Sequence, residues 1–187
     1  MNGDLRREEG DVFKGLTAGA IGGLVASWVM DRFQEVWIEI AQKMESSENG
    51  SSEQDKQNEE QESQNGEEQE PATVVTAEAI SERVFNHELT EREKEYAGPA
   101  VHYAVGISSG AVYGAAAELV PEFTAGAGIP FGTAVWLFVD EMAVPALGLS
   151  KPVVEYPAST HLYALVSHFV FGLTTEIVRR PVRRALD

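Results

Sequence analysis

The sequence predicts an all-α polytopic membrane protein: four transmembrane helices packed through small residues, amphipathic interfacial helices and a disordered acidic linker. Three observations carry this. Four long runs are almost free of charge. Glycines recur every fourth residue within them. A 25-residue stretch, Ser46 to Glu70, has no apolar side chain at all.

The elements follow in chain order. Gly15 to Met30 is the first apolar run, with small residues at Gly15, Gly19, Gly23 and Ser27. Interior glycine costs a water-soluble helix about 1 kcal/mol relative to alanine. In lipid, small residues four apart instead let helix backbones approach closely. Phe33, Val36, Trp37, Ile40, Ala41 and Met44 continue the run as an apolar stripe at helical spacing. Glu35, Glu39, Gln42 and Lys43 occupy the other side. One helix is therefore expected to leave the lipid near Asp31, with Trp37 at headgroup depth. This continuity argues against a cleaved signal peptide, despite Arg6, Arg7 and Lys14 ahead of the run. Residues 1–45 form this first unit.

Residues 46–72 form the second. Nine acids against Lys56 give Ser46 to Glu70 a net charge of -8, half the chain's -16. Such a composition cannot bury enough apolar surface to offset its ordering entropy, so the segment is expected to be disordered.

Residues 73–187 form the third unit. Thr76 is expected to cap a short helix with Ala77, Ile80 and Val84 on its apolar face. Thr90 to Glu93, "TERE", is a capping box that opens the next helix. Ala97 to Ala117 is the second span, Phe123 to Val139 the third and Pro157 to Thr175 the fourth. Spans need about 17–25 apolar residues. The packing spacing recurs at Gly106, Gly110 and Gly114, at Gly128 and Gly132, and at Gly172. Arg179, Arg180, Arg183 and Arg184 follow the last span, whereas only Lys151 lies between spans three and four. The excess of basic residues puts both termini on the cytoplasmic side.

An acidic chain with pI near 4.6 argues against nucleic acid as a partner. The absence of cysteine excludes disulfides, thiol catalysis and cysteine-held metals. No phosphate loop, nucleophile elbow or dinucleotide fingerprint is present, so no enzyme, no cofactor and no metal site are expected. Asp31, Glu176, Arg179 and Arg180 read as interface anchors, like Trp37, with Glu176 paired to Arg179 or Arg180. The sharper candidates are Asp140, Glu141, His161, His168 and His102. Ionisable groups at membrane depth point to function, and histidines beside carboxylates suit an ion or proton pathway.

"FGTAVWLFVDEMAVPALGLSKP" and "HLYALVSHFVFGLTTEIVRR" resemble the YagU-like family of small bacterial inner-membrane proteins. The Pro145, Gly148, Leu149 turn, His168 and the ending Glu176, Arg179, Arg180 are the pieces most similar to it. The resemblance implies a multi-pass location in the bacterial plasma membrane and no known reaction. Three readings follow: a structural or accessory membrane protein with lipid as its partner and a homo-oligomer as a candidate assembly; a subunit of a proton or solute pathway; and an anchored protein whose acidic linker binds a partner outside.

Overall fold

In the computed structural model, the structure describes residues 2–48 and 70–187, with side chains from 11–44 and 70–187. Most of the acidic linker expected at 46–72 lies outside the described residues. Among the described residues the elements are helical and there is no strand.

Helix α1, Asn2–Glu48, runs for 47 residues without a break. At 1.5 Å per residue it is about 70 Å long, more than twice the ~30 Å of a bilayer's hydrocarbon core. Helix α2 spans Ala72–Ile80 and continues as one wide π-helical turn over Ser81–Phe85. Helix α3 spans Glu91–Leu119, and Pro121–Thr124 then makes a 3₁₀ turn. Helix α4 begins at Ile129 and runs to Ala146, with π-helical hydrogen bonding from Trp136–Ala143. Helix α5, Ala158–Ala185, closes the chain.

Two expectations about local structure are corrected. Thr76 is not a cap. Helix α2 starts at Ala72, where the Pro71 carbonyl accepts from the Val74 and Val75 amides. The Thr76 hydroxyl lies inside the helix and donates back to the Ala72 carbonyl at 2.6 Å. The buried face of this helix is also narrower than expected, comprising Ala77 and Ser81, while Ile80 and Val84 are exposed. The second correction concerns span three. Its helix starts six residues after Phe123, because Gly126, Ala127 and Gly128 all adopt positive φ. That left-handed run cannot be helical, and it reverses the chain after α3. Gly128 is therefore the residue before α4 rather than a position on it. The helix then passes through Asp140 and Glu141 instead of ending there. It stops at Gly148, where left-handed backbone (φ 71°) lets the Gly148 and Leu149 amides bond back to Pro145 and Val144.

The bundle is assembled on two glycine seams. Along the first, α1 and α3 run antiparallel with Gly15 against Gly114, Gly19 against Gly110 and Gly23 against Gly106. A Cβ at any of these would overlap the facing backbone carbonyl or the glycine's close neighbours. Along the second, Gly128 and Gly132 lie against Gly172 and the His168 carbonyl, joining α4 to α5. Gly22 on the other side of α1 meets the Thr175 backbone, joining α1 to α5. Tyr113 of α3 stacks on Phe131 of α4 with ring centres 4.3 Å apart, which closes the circuit of four helices.

Three helices are long and apolar enough to cross a membrane: Asp11–Met44 within α1, Ile129–Ala146 and Ala158–Ala185. The run 97–117 in α3 is not among them. Its glycines, serines, tyrosines and His102 dilute its hydropathy, although its length would suffice. Burial is inverted relative to a water-soluble protein. Glu176, Thr175, Ser27 and Ser167 are the largest side chains buried completely, whereas Phe13, Trp28, Val112, Phe138, Leu162 and Ile177 are exposed.

Candidate functional site

The charged side chains collect at the two ends of the bundle, and the residues available at each end differ. The antiparallel seams dictate which meet. The start of α1, the end of α3, the start of α4 and the end of α5 share one end, called here the terminal end. The other end carries the middle of α1, the upper part of α3, the end of α4 and the start of α5, and is called the loop end.

At the terminal end the cations are arginines. Glu176, one turn beyond Gly172, is 1% exposed. It accepts from Arg179 Nε and Nη2 at 2.7 and 3.0 Å and from Arg180 Nε at 2.7 Å. Both arginines expected as its partners engage it at once. Glu118 of α3 accepts a bidentate bond from Arg183 at 2.8 and 3.0 Å. The same guanidinium reaches Asp187 at 2.6 Å and Asp11 of α1 at 3.3 Å, and Lys14 completes the ring at 3.2 Å from Asp187. Arg183 and Lys14 hold the Asp187 carboxyl below the usual aspartate range. The Arg179 guanidinium also lies over the Tyr113 ring, 5.6 Å from its centre. Planar guanidinium forks match carboxylates in this bidentate manner, which lysine cannot do.

At the loop end the bases are histidines. Asp31 of α1 accepts from the Tyr103 hydroxyl at 2.9 Å, and His102 Nε2 approaches its other oxygen to 3.1 Å. On α4, Asp140 lies 3.6 Å from His168 Nε2 and Glu141 lies 2.7 Å from His161 Nδ1, both on α5. His102 and Glu141 are within electrostatic reach of Asp140, so the three pairs form one polar zone across all four helices. His168 is almost buried, and its Nδ1 donates to the Ala164 carbonyl at 2.8 Å, which fixes the tautomer. The second nitrogen of His161 faces the Val153 carbonyl at 3.1 Å. Both Asp140 and Glu141, neighbours in sequence that pair with α5, lie in the wide turns of α4. Such turns occur often at functional sites.

Each residue singled out from the sequence can now be placed. Asp140, Glu141, His161, His168 and His102 share the loop end, and Asp31, read from the sequence as an interface anchor, joins them there. Trp37 sits just beyond, half exposed, against Phe33 and against Tyr163 of α5 with ring centres 5.8 and 5.9 Å away. Glu176, Arg179 and Arg180 are at the terminal end, where Glu176 and Arg179 are enclosed and Arg180 is exposed. Sequence reasoning missed Tyr103 as a partner of Asp31 and Arg183 as the hub of the terminal end. Arg183 was findable, since it lies seven residues after Glu176 and so on the same helix face. Among the described residues, no group of three His, Asp or Glu side chains converges as a metal site.

A third charged point lies outside the apolar runs. Lys94 of α3 bridges Glu70 and Glu78 at 2.7 and 2.8 Å and Glu91 at 3.2 Å, fastening α2 onto α3. Those carboxylates raise its pKa, and it in turn lowers that of Glu70. Beside it the Thr90 capping box is formed. The Thr90 amide and hydroxyl each donate to Glu93 at 2.8 Å, and the Glu93 amide donates back to the Thr90 hydroxyl.

The family described as "Protein of unknown function (DUF1440)" matches residues 63–177, more than half of the chain. No curated protein and no solved structure matches.

Proposed function

We propose that this chain, which belongs to the DUF1440 family of proteins of unknown function, is an integral membrane protein of structural or accessory type, with four membrane-crossing helices and no catalysis of its own. The observation that supports this reading is the inverted burial. Small and polar groups are enclosed beside the few large apolar side chains of the core, Met30, Tyr113 and Phe171, and glycine seams supply the close packing that lipid cannot drive. Large apolar side chains face outward on every long helix. Helix α3 qualifies as the fourth span on the same ground: α1 covers its glycine face, and Val112 and Leu119 lie exposed elsewhere on it. The excess of arginine at the terminal end supports a cytoplasmic position for that end, with both termini, in a bacterial plasma membrane.

The test is extraction. Membranes from cells making the protein should retain it through an alkaline carbonate wash and release it in detergent. Recovery as a monodisperse soluble protein without detergent would overturn the reading. The chain has no cysteine, so single cysteines report topology directly. Ser150→Cys should react with an impermeant maleimide on intact cells, and Leu186→Cys should not.

A second reading has one specific observation in its favour. The Asp140–His168 pair lies between α4 and α5 with His168 buried and Asp140 part-exposed, and a titratable pair at that depth suits a proton or solute pathway. A flux assay in liposomes comparing the native chain with Asp140→Asn and His168→Ala decides it. Equal flux in all three removes the pathway.

A further inference from the structure

From the α4–α5 contact we infer that Asp140–His168 and Glu141–His161 are two proton-binding sites that together fasten α4 to α5 at the loop end, and that losing those protons releases α4 there. The inference rests on the geometry of two helices and stands independently of which functional reading holds.

Hydrogen-bond inventory carries the argument. A neutral imidazole has one N–H and one lone pair. His168 uses its Nδ1–H on the Ala164 carbonyl, so in the neutral ring Nε2 turns a lone pair toward Asp140, 3.6 Å away. A carboxylate facing a lone pair is repelled. One proton, on either partner, turns the contact into attraction. His161 is more constrained. Nδ1 faces the Glu141 carboxylate at 2.7 Å and Nε2 faces the Val153 carbonyl at 3.1 Å. A carbonyl only accepts, so both contacts hold together only when the pair carries an extra proton. The third pair is different. Asp31 already accepts a hydrogen bond from the Tyr103 phenol, a donor that needs no added proton, while His102 Nε2 lies near its other oxygen without a hydrogen bond. The α1–α3 contact therefore keeps its attraction without an added proton, and the α4–α5 contacts do not.

The groups facing these sites are few. His161 meets Glu141 from α4 and, from the segment before α5, the Val153 carbonyl and the Tyr156 ring edge. Asp140 meets His168 from α5, His102 from α3 and Glu141 beside it. No arginine or lysine is among these partners, so no permanent cation replaces the histidines. Helix α4 is also the helix best placed to move. It is the least covered of the apolar helices, with 6% of its membrane-length window buried against 39% for α1 and 33% for α5. Its other attachments, Gly128 and Gly132 against Gly172 and the Phe131 ring against Tyr113 and Phe171, lie nearer the terminal end and use no histidine ring.

Pulsed spin-label distances on the purified chain in nanodiscs test this without removing any native cysteine. The loop-end pair is Met142→Cys with Leu162→Cys, and the terminal-end control is Ile129→Cys with Ile177→Cys; all four positions are exposed. Raising the pH from about 5.5 to about 8.5, across the ordinary histidine range, should increase the long-distance population at the loop end several-fold and leave the control unchanged. Adding His161→Gln and His168→Gln should abolish the response. A loop-end distance that ignores pH, an equal change at both ends, or a response surviving in the double glutamine variant would each overturn the inference. If that variant does not fold, the comparison of the two label pairs in the otherwise native chain still decides.

Discussion

The two ends of the bundle solve the same problem with different bases. Each must hold helices together where charged groups enter an apolar assembly. The terminal end uses Arg179, Arg180 and Arg183 on Glu176, Glu118, Asp11 and Asp187. The loop end uses His102, His161 and His168 on Asp31, Glu141 and Asp140. Guanidinium keeps its charge throughout the physiological range, whereas imidazole changes charge within it. The difference teaches that one end is built to be constant and the other to respond, although both consist of carboxylate–base pairs; at the terminal end those of Glu176 lie within α5, and Arg183 bridges to α1 and α3.

The comparison breaks most violently at Glu176. Removing a partner from a buried ion pair leaves an uncompensated charge, which typically costs about 3–5 kcal/mol. Glu176→Ala strands Arg179, which is 6% exposed and has Glu118 only at 3.8 Å as its remaining acid. Thermal unfolding in detergent should show the largest loss of any single substitution discussed here. A loss no greater than that of Asp140→Asn would deny the terminal end its special role.

Next in size is the seam between the ends. Gly19→Leu puts a side chain where the Gly110 backbone lies, and overpacking of this kind costs about 1–3 kcal/mol, occasionally more. Because Gly19 is the middle of the three α1 glycines in the seam, both ends should loosen together. Backbone amide exchange at α3 residues on both sides of Gly110 reads this. Loosening confined to one end would mean that the ends are coupled more weakly than the shared seam requires.

A smaller effect separates the pairs within the loop end. Tyr103→Phe removes the donor that lets Asp31 dispense with an added proton. The α1–α3 contact should then acquire the pH response otherwise restricted to α4 and α5, at a stability cost of about 1 kcal/mol for one lost hydrogen bond. A pair of spin labels across α1 and α3 checks this. An unchanged pH response would show that His102 alone suffices.

How much of this was legible in the sequence depends on whether a feature is local to one helix. The four-residue glycine spacing, the Thr90 box and the Glu176–Arg180 pair are set by 3.6 residues per turn, and each can be read from one segment. Partners across helices are another matter. That Asp31 meets Tyr103 follows from the register of the antiparallel seam, in which Gly23 faces Gly106. One sequence shows the glycines but not which glycine opposes which. The start of α4 was misplaced for a different reason. "FTAGAG" is apolar enough to extend a span, and hydropathy does not register the positive φ that Gly126, Ala127 and Gly128 adopt. Thr76 misled because threonine can bond to a carbonyl four residues back as readily as cap a helix start.

The smallest predicted effect lies outside both ends and serves as their pH control. Glu93 is exposed, yet its pKa falls from 4.5 to about 2, first because the Thr90 amide donates to it, then through the Thr90 hydroxyl and His87. A carboxyl depressed in the folded state stabilises it above its ordinary value, and that contribution fades as the pH drops from about 4.5 toward 2. Glu93 therefore keeps its charge throughout the interval from about pH 5.5 to 8.5. Amide exchange at Glu93 and Lys94 should be protected evenly from about pH 5.5 to 8.5, after correction for intrinsic rates, and Thr90→Ala should remove that protection equally at every pH. If protection at this cap instead varied in step with the α4–α5 distance, the pH response would belong to the whole bundle, and the contrast between its two ends would fail.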